Sequence, residues 1–218
     1  MDEGYYNELQ EETYTPDIET VIGDICDINS TFKTGDKLIL CVNIRSIFKN
    51  LYKLKNLLCH MVCKPLIVIC TEAWLKDENF FINIEGFMHY TTETRLNRSD
   101  GIVVYLNEAI MHTVENVIIG KTESPTVTLI LKNEKNLLIS RFYRSHDYKL
   151  KQFSEQLLLY LDKTKNAQNH IVMGDFNVDI MDNSVESEDF LSNFFAYGYE
   201  PYFNGIYKKC CWEKRFMH

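Results

Sequence analysis

The chain has 218 residues, 45% hydrophobic and 13% aromatic, with a formal net charge of -8; that length and apolar content suffice for one well-cored globular domain. No stretch approaches the roughly 20 apolar residues that span a bilayer, and Met1-Asp2-Glu3 opens neither the basic flank nor the apolar segment of a secretory signal. Seven irregularly spaced cysteines do not form the even framework of a disulfide-stapled secreted module, so the expected setting is the cell interior, nuclear or cytoplasmic.

Residues 1–36 carry ten acids against one base, Lys33, a net of -9, while the remaining residues hold 22 bases and 21 acids, a net of +1. The acidity therefore belongs to an N-terminal arm without apolar periodicity, expected to be weakly ordered and solvated. Residues 37–218 form the domain proper. Its first apolar run, Leu38 to Val42, ends at Asn43, with Ile44, Arg45 and Ser46 behind. Leu51 to Val62 repeats apolar residues at three-and-four spacing, the mark of a helix with one buried face. Cys59, His60 and Cys63 lack a second pair of ligands at zinc spacing. A second run, Leu66 to Cys70, stops at Thr71-Glu72, followed by Ala73, Trp74 and Leu75.

Gly101 to Leu106 and Thr126 to Leu131 read as strands, the latter joined to the next through the hairpin-like Asn133-Glu134-Lys135-Asn136. Leu137 to Phe142 then ends at Tyr143-Arg144. Tyr148 to Leu161 has helical period, and Asp189 to Tyr197 suggests a shorter helix. Between them Ile171-Val172-Met173 breaks into Gly174-Asp175-Phe176-Asn177, a strand delivering polar groups to its carboxyl edge. The glycine suits a tight exit, where torsion or closeness of approach forbids a side chain. The same four residues also suit a turn that only stabilises its own backbone. Strands mixed with helices and at least one hairpin predict an α/β sandwich with mixed sheets.

Four apolar runs thus end in groups suited to metal or phosphate chemistry, as a site assembled at one rim of a sheet requires. Hydrolysis of a phosphodiester brings hydroxide to a phosphorus shielded by anionic oxygens, for which a hard divalent cation is the natural aid. Magnesium, with manganese as its substitute, takes oxygen ligands. Glu72 is the candidate metal carboxylate and Asn43 its carbonyl ligand or orienting partner. Asp175 orients or deprotonates water, or protonates the leaving oxygen; the sequence leaves these roles open. Asn177 and Tyr143 are candidate phosphate contacts, with Arg45 and Arg144 as secondary ones. Taken singly, Glu72 also reads as a helix-start carboxylate and Tyr143 as a core-edge ring with a wet hydroxyl. Trp74, Phe87 and Phe176 read as packing, His60, His112 and His170 as structural imidazoles, and His146 lies near the expected rim.

In this order and at these intervals, Asn43-Ile44-Arg45-Ser46, Thr71-Glu72-Ala73-Trp74-Leu75, Tyr143-Arg144 and Gly174-Asp175-Phe176-Asn177 resemble the endonuclease/exonuclease/phosphatase superfamily. Within it they resemble the apurinic-endonuclease-like domain that precedes reverse transcriptase in non-LTR retrotransposons of the jockey kind. The resemblance runs from about Lys37 to about Pro201. It implies a four-layered, DNase I-like α/β sandwich, magnesium-dependent nicking of DNA to leave a 3′-hydroxyl, and no small-molecule cofactor. Members end in a Ser-x-Ile-Asp-His-like segment, whereas no Asp-His dipeptide occurs in this sequence and His218 follows Arg215-Phe216-Met217. Nor does any residue after Pro201 match the family's mid-site aspartate, Asp100 stands where glycine is favoured, and Ser145-His146 stands where prolines usually follow Tyr-Arg. The resemblance therefore implies a domain whose last strands are missing or degenerate, with weak or absent cleavage of DNA, or else a noncatalytic remnant or interaction module that keeps the scaffold.

Overall fold

The computed structural model describes residues 25–75, 82–91, 101–110, 112–119, 124–131, 137–144, 148–167, 169–179, 184–202 and 209–215. Helix α1 (Ile25–Thr31) leads into strand β1 (Ile39–Asn43), helix α2 (Ile47–His60) and β2 (Ile67–Thr71). Strands β3 (Phe87–Thr91) and β4 (Val103–Asn107) complete a four-stranded sheet in the order β1-β2-β4-β3. β1 and β2 run parallel, with Asn43 opposite Thr71, and the other pairs are antiparallel.

Strand β2 is buried at every position, which is why its sequence reads as an unbroken apolar run: both faces are covered. Ile67 and Ile69 join Ile102, Val104 and Leu106 in one cluster, while Val68, Cys70, Val103 and Tyr105 turn the other way, toward Leu54 and Leu58 of α2. The helical stripe seen in the sequence is the face that makes this contact.

The second sheet has six strands. β5 (His112–Ile119), β6 (Ser124–Leu131) and β7 (Leu137–Tyr143) form an antiparallel meander. Helix α3 (Leu150–Lys163) then returns the chain so that β8 (Asn169–Asp175) lies parallel to β7. After α4 (Val185–Ala196) come β9 (Tyr199–Tyr202) and β10 (Lys209–Arg215), giving the order β5-β6-β7-β8-β10-β9. Alternation again splits each strand. Ile139, Tyr143 and Ile171 face the first sheet, and Phe142 and Val172 pack with Phe153, Leu157, Phe190 and Phe194 of α3 and α4. Helix, sheet, sheet and helices therefore stack in four layers. A direct contact crosses the inner boundary, Cys41 Sγ lying 3.8 Å from Met173 Sδ.

At the amino end of β8 a polar chain is buried. Tyr199 Oη lies 2.6 Å from His170 Nδ1, His170 Nε2 lies 2.7 Å from Ser140 Oγ, and Ser140 also meets the Tyr160 hydroxyl. Burial pushes the Tyr199 phenol well above its ordinary value, so Tyr199 keeps its proton, and the imidazole engages both ring nitrogens, one toward Tyr199 and one toward Ser140. His170 is thus the structural imidazole expected.

Five elements had no signal in the sequence: α1, β3, β5, β9 and β10. Helix α1 falls inside the arm expected to be weakly ordered, yet Ile28 and Phe32 pack on the α2 side of the first sheet, and Asn29 bonds the His60 carbonyl and the Val62 amide. Among the described residues neither sheet closes, β1 and β3 ending one and β5 and β9 the other, as a fold with missing or degenerate last strands would leave it, while Lys209–Arg215 pairs along β8. The expected turn at residues 133–136, Asp100, His146 and His218 lie outside the described residues, as does the His112 side chain.

Candidate functional site

Beyond the last paired residues of β1 and β2 the two chains stay together. Ile44 N donates to Thr71 O at 3.0 Å, Ser46 N to Glu72 O at 2.8 Å and Ile47 N to Ala73 O at 2.9 Å, while Ala73 N reaches Gly101 O at 3.0 Å. Asn50, in the first turn of α2, ties the loop from inside with bonds of 2.9 Å to the carbonyls of Ile44 and Arg45. Strand alternation alone would aim Glu72 at the face opposite Asn43. A left-handed backbone at Glu72, φ +50°, breaks that alternation. Its carboxylate accepts a 2.5 Å bond from Asn43 Nδ2.

That bond leaves Asn43 Oδ1 buried with no hydrogen-bond partner. A buried carbonyl oxygen without a donor is costly, and here it sits beside a carboxylate. Two hard oxygen donors so placed suit magnesium, which is commonly held by one or two carboxylates with water and substrate completing its shell. Among the described residues no three His, Cys, Asp or Glu side chains gather to hold a metal, so the pair fits an open site and not a closed protein cage. Trp74 Nε1, two residues past Glu72, is likewise buried without a partner; the sequence marked this ring only as packing.

The other half of the site stands at the ends of β7 and β8. Tyr143 and Asp175 are register partners in parallel strands and share the face toward the first sheet. Both are buried. Gly174, between them and the helices, is required for closeness and not for torsion: a Cβ there would lie 2.1 Å from Phe176 Cζ. The Phe176 ring folds back under the strand and packs against Phe142, Phe153, Phe190 and Phe194. The motif thus turns its ring into the helix layer and its carboxylate away from it.

Arg144 is only 7% exposed. Its Nε donates to Phe176 O at 2.5 Å, its Nη1 to Tyr148 O at 2.5 Å and its Nη2 to Asn177 O at 2.6 Å, while Asn177 Nδ2 returns a 2.7 Å bond to Arg144 O. Burial lowers the guanidinium pKa, and the neighbouring Asp175 and Tyr143 push the other way. Arg144 and Asn177 therefore clamp two loops together. Arg45, by contrast, is exposed on the loop between β1 and α2.

The structure thus brings together three pairs: Asn43 with Glu72, Tyr143 with Asp175, and Arg144 with Asn177. The Cys41–Met173 contact links the halves, since Asn43 and Asp175 each lie two residues further along the same faces, a step of about 6.6 Å. Strain marks the same loops. The non-glycine residues with positive φ among those described are Arg45, Ser46, Glu72, Trp74 and Asn177, all at the exits of β1, β2 and β8. Such torsions cost of order 1–3 kcal/mol each and gather where geometry serves a site. The zinc-like trio does not converge: His60 Nδ1 bonds Asn56 O, and Cys63 donates to Asp36 O.

No family model matches the chain, and no curated protein does. Solved structures do. The endonuclease domain of TRAS1, a telomere-specific non-LTR retrotransposon, superposes with a TM-score of 0.59 at 10% identity, covering 82% of this chain and 85% of that one. An AP endonuclease from Archaeoglobus fulgidus gives 0.55 at 11% identity over 81% and 86%. ANGEL2, a 2′,3′-cyclic phosphatase, gives 0.51 at 12% identity over 74% of this chain and 56% of that longer one. The fold is DNase I-like.

Proposed function

We propose that this chain is a phosphodiester hydrolase domain, a magnesium-dependent DNA endonuclease of the kind that serves non-LTR retrotransposition. The observation that carries the reading is the Asn43–Glu72 pair, whose amide bond aims a carbonyl oxygen without a donor alongside a carboxylate. Glu72 and Asn43 Oδ1 would hold the cation. When bound, magnesium or manganese offsets charge on the phosphate and polarises water. Asp175 orients the attacking water and accepts its proton, or returns one to the leaving oxygen. Tyr143 donates its hydroxyl to a nonbridging phosphate oxygen. Asn177 has a second amide hydrogen for the same anion once the first is given to Arg144 O. Arg45, on the exposed loop, meets a neighbouring phosphate, and Arg144 holds the loop that carries Asn177.

Turnover is slow in this proposal. The sequence has no Asp-His dipeptide, and one missing acid–base or electrostatic group commonly costs about a hundredfold. Supercoiled plasmid incubated with the purified chain and magnesium tests the reading: nicked circles form, and Glu72→Ala or Asp175→Ala abolishes them. An absence of nicking at high enzyme, with manganese tried as well, removes it. The near-neutral charge of residues 37–218 favours the second reading, a noncatalytic interaction module, because DNA binding draws its affinity from basic surface. In that case the two alanine variants leave every measurable property unchanged.

A further inference from the structure

Strand β7 carries an arginine that the site as described does not use. Arg141 is 4% exposed. Its neighbours Ser140 and Phe142 turn to the helix layer, where Ser140 meets Tyr160 and Phe142 meets Phe153 and Phe176, so Arg141 shares with Ile139 and Tyr143 the face toward the first sheet. Its register partner in β8 is Met173, whose sulfur touches Cys41 across the two sheets. Arg141 therefore lies one pleat repeat, about 6.6 Å, beneath Tyr143 and Asp175. That is a distance a side chain of its length spans.

An aliphatic residue would fill this position at far lower cost, since a buried guanidinium must recover its lost hydration from anionic or polar partners. The rim above it presents two carboxylates, Glu72 and Asp175, and under the function proposed above, on which this inference rests, it also receives an anionic phosphodiester.

The geometry points to Arg141 as the cation that meets the substrate phosphate from below, between the sheets. A guanidinium matches two phosphate oxygens through paired N–H donors, and it also repels a metal ion held nearby until the phosphate arrives. Opposite effects on the two ligands follow.

The experiment uses the full chain and the variants Arg141→Met and Arg141→Lys, with melting temperature as the check on folding. Binding of a short fluorescein-labelled DNA duplex is read by anisotropy in calcium across a salt series, and binding of Mn2+ to DNA-free protein by electron paramagnetic resonance. Arg141→Met is expected to loosen the duplex about tenfold or more and to flatten the slope of log K against log salt by about 0.9. The same variant binds Mn2+ severalfold more tightly. Arg141→Lys keeps the metal affinity of the parent and binds the duplex with intermediate strength. Folded variants that bind duplex and Mn2+ as the parent does overturn the assignment and leave the endonuclease reading standing. Two variants that both fail to fold reduce Arg141 to a structural ion and overturn it too. A parent chain that binds no duplex sinks the function and this assignment together.

Discussion

Gly174→Ala adds one methyl at the point where the strand, the Phe176 ring and the candidate carboxylate meet. Its Cβ would lie 2.1, 2.2 and 2.5 Å from three atoms of that ring, all far inside contact distance, and the ring is fully buried between Phe142, Phe153, Phe190 and Phe194. Either the ring leaves or the strand moves. Expelling a buried phenylalanine costs roughly 3–5 kcal/mol once the cavity is counted. For a chain of this length each kcal/mol moves the melting temperature by about 2–4 °C, so a fall on the order of 10 °C is expected by circular dichroism. A double-mutant cycle isolates the cause. In a Phe176→Ala background, which already lacks the ring, the added methyl meets little and costs under about 1 kcal/mol, which gives a coupling energy of several kcal/mol. A Gly174→Ala protein that melts within about 2 °C of the parent by the same scale, or one whose penalty persists without the ring, refutes the reasoning.

His170→Leu strips one partner from each of Tyr199 and Ser140 in a buried setting; urea denaturation should show a loss of about 2–4 kcal/mol, and a change under about 0.5 kcal/mol would show that the chain of bonds stabilises nothing. Iodoacetamide at mildly alkaline pH should label the exposed Cys26 and Cys59 and spare Cys70, whose thiol burial, with Cys41 nearby, pushes up to about 12. Thiolate is the reactive form, so Cys70 should react only after denaturation. Peptide mapping that finds native Cys70 modified alongside the others contradicts the packing of β2 under α2.

Strands whose cores are apolar runs announced themselves, whether covered on both faces like β2 or at the sheet edge like β1. β1, β2, β7 and β8 carry the apolar runs that ended in Asn43, Glu72, Tyr143 and Asp175, and α2 and α3 carry the helical stripes that cover them. Strand β3 did not, because its residues are only partly buried, and β10, Lys-Cys-Cys-Trp-Glu-Lys-Arg, alternates no apolar set that would mark a face. Seven-residue α1 owes its place to Asn29 bonds across to the end of α2, a tertiary cause no local pattern records. The start of α4 was readable: Ser184 accepts from Ser187 N at 3.3 Å, with Glu186 and Glu188 in the first turn, a capping signal five residues ahead of the expected helix. Within the site, residue types were legible and their commitments were not. Arg144 has the chemistry of a phosphate ligand, yet burial and three carbonyl acceptors decide its work, and the left-handed torsion at Glu72 that makes the Asn43 bond leaves no trace in composition.

Crystals of the chain grown with MnCl2 and measured for anomalous scattering test the arrangement most directly. One manganese peak should appear about 2.0–2.3 Å from a Glu72 carboxylate oxygen and Asn43 Oδ1, with Asp175 lining the same hollow from the second sheet. No peak at saturating manganese, or a peak bound elsewhere with the Asn43 carbonyl still unengaged, would contradict the account.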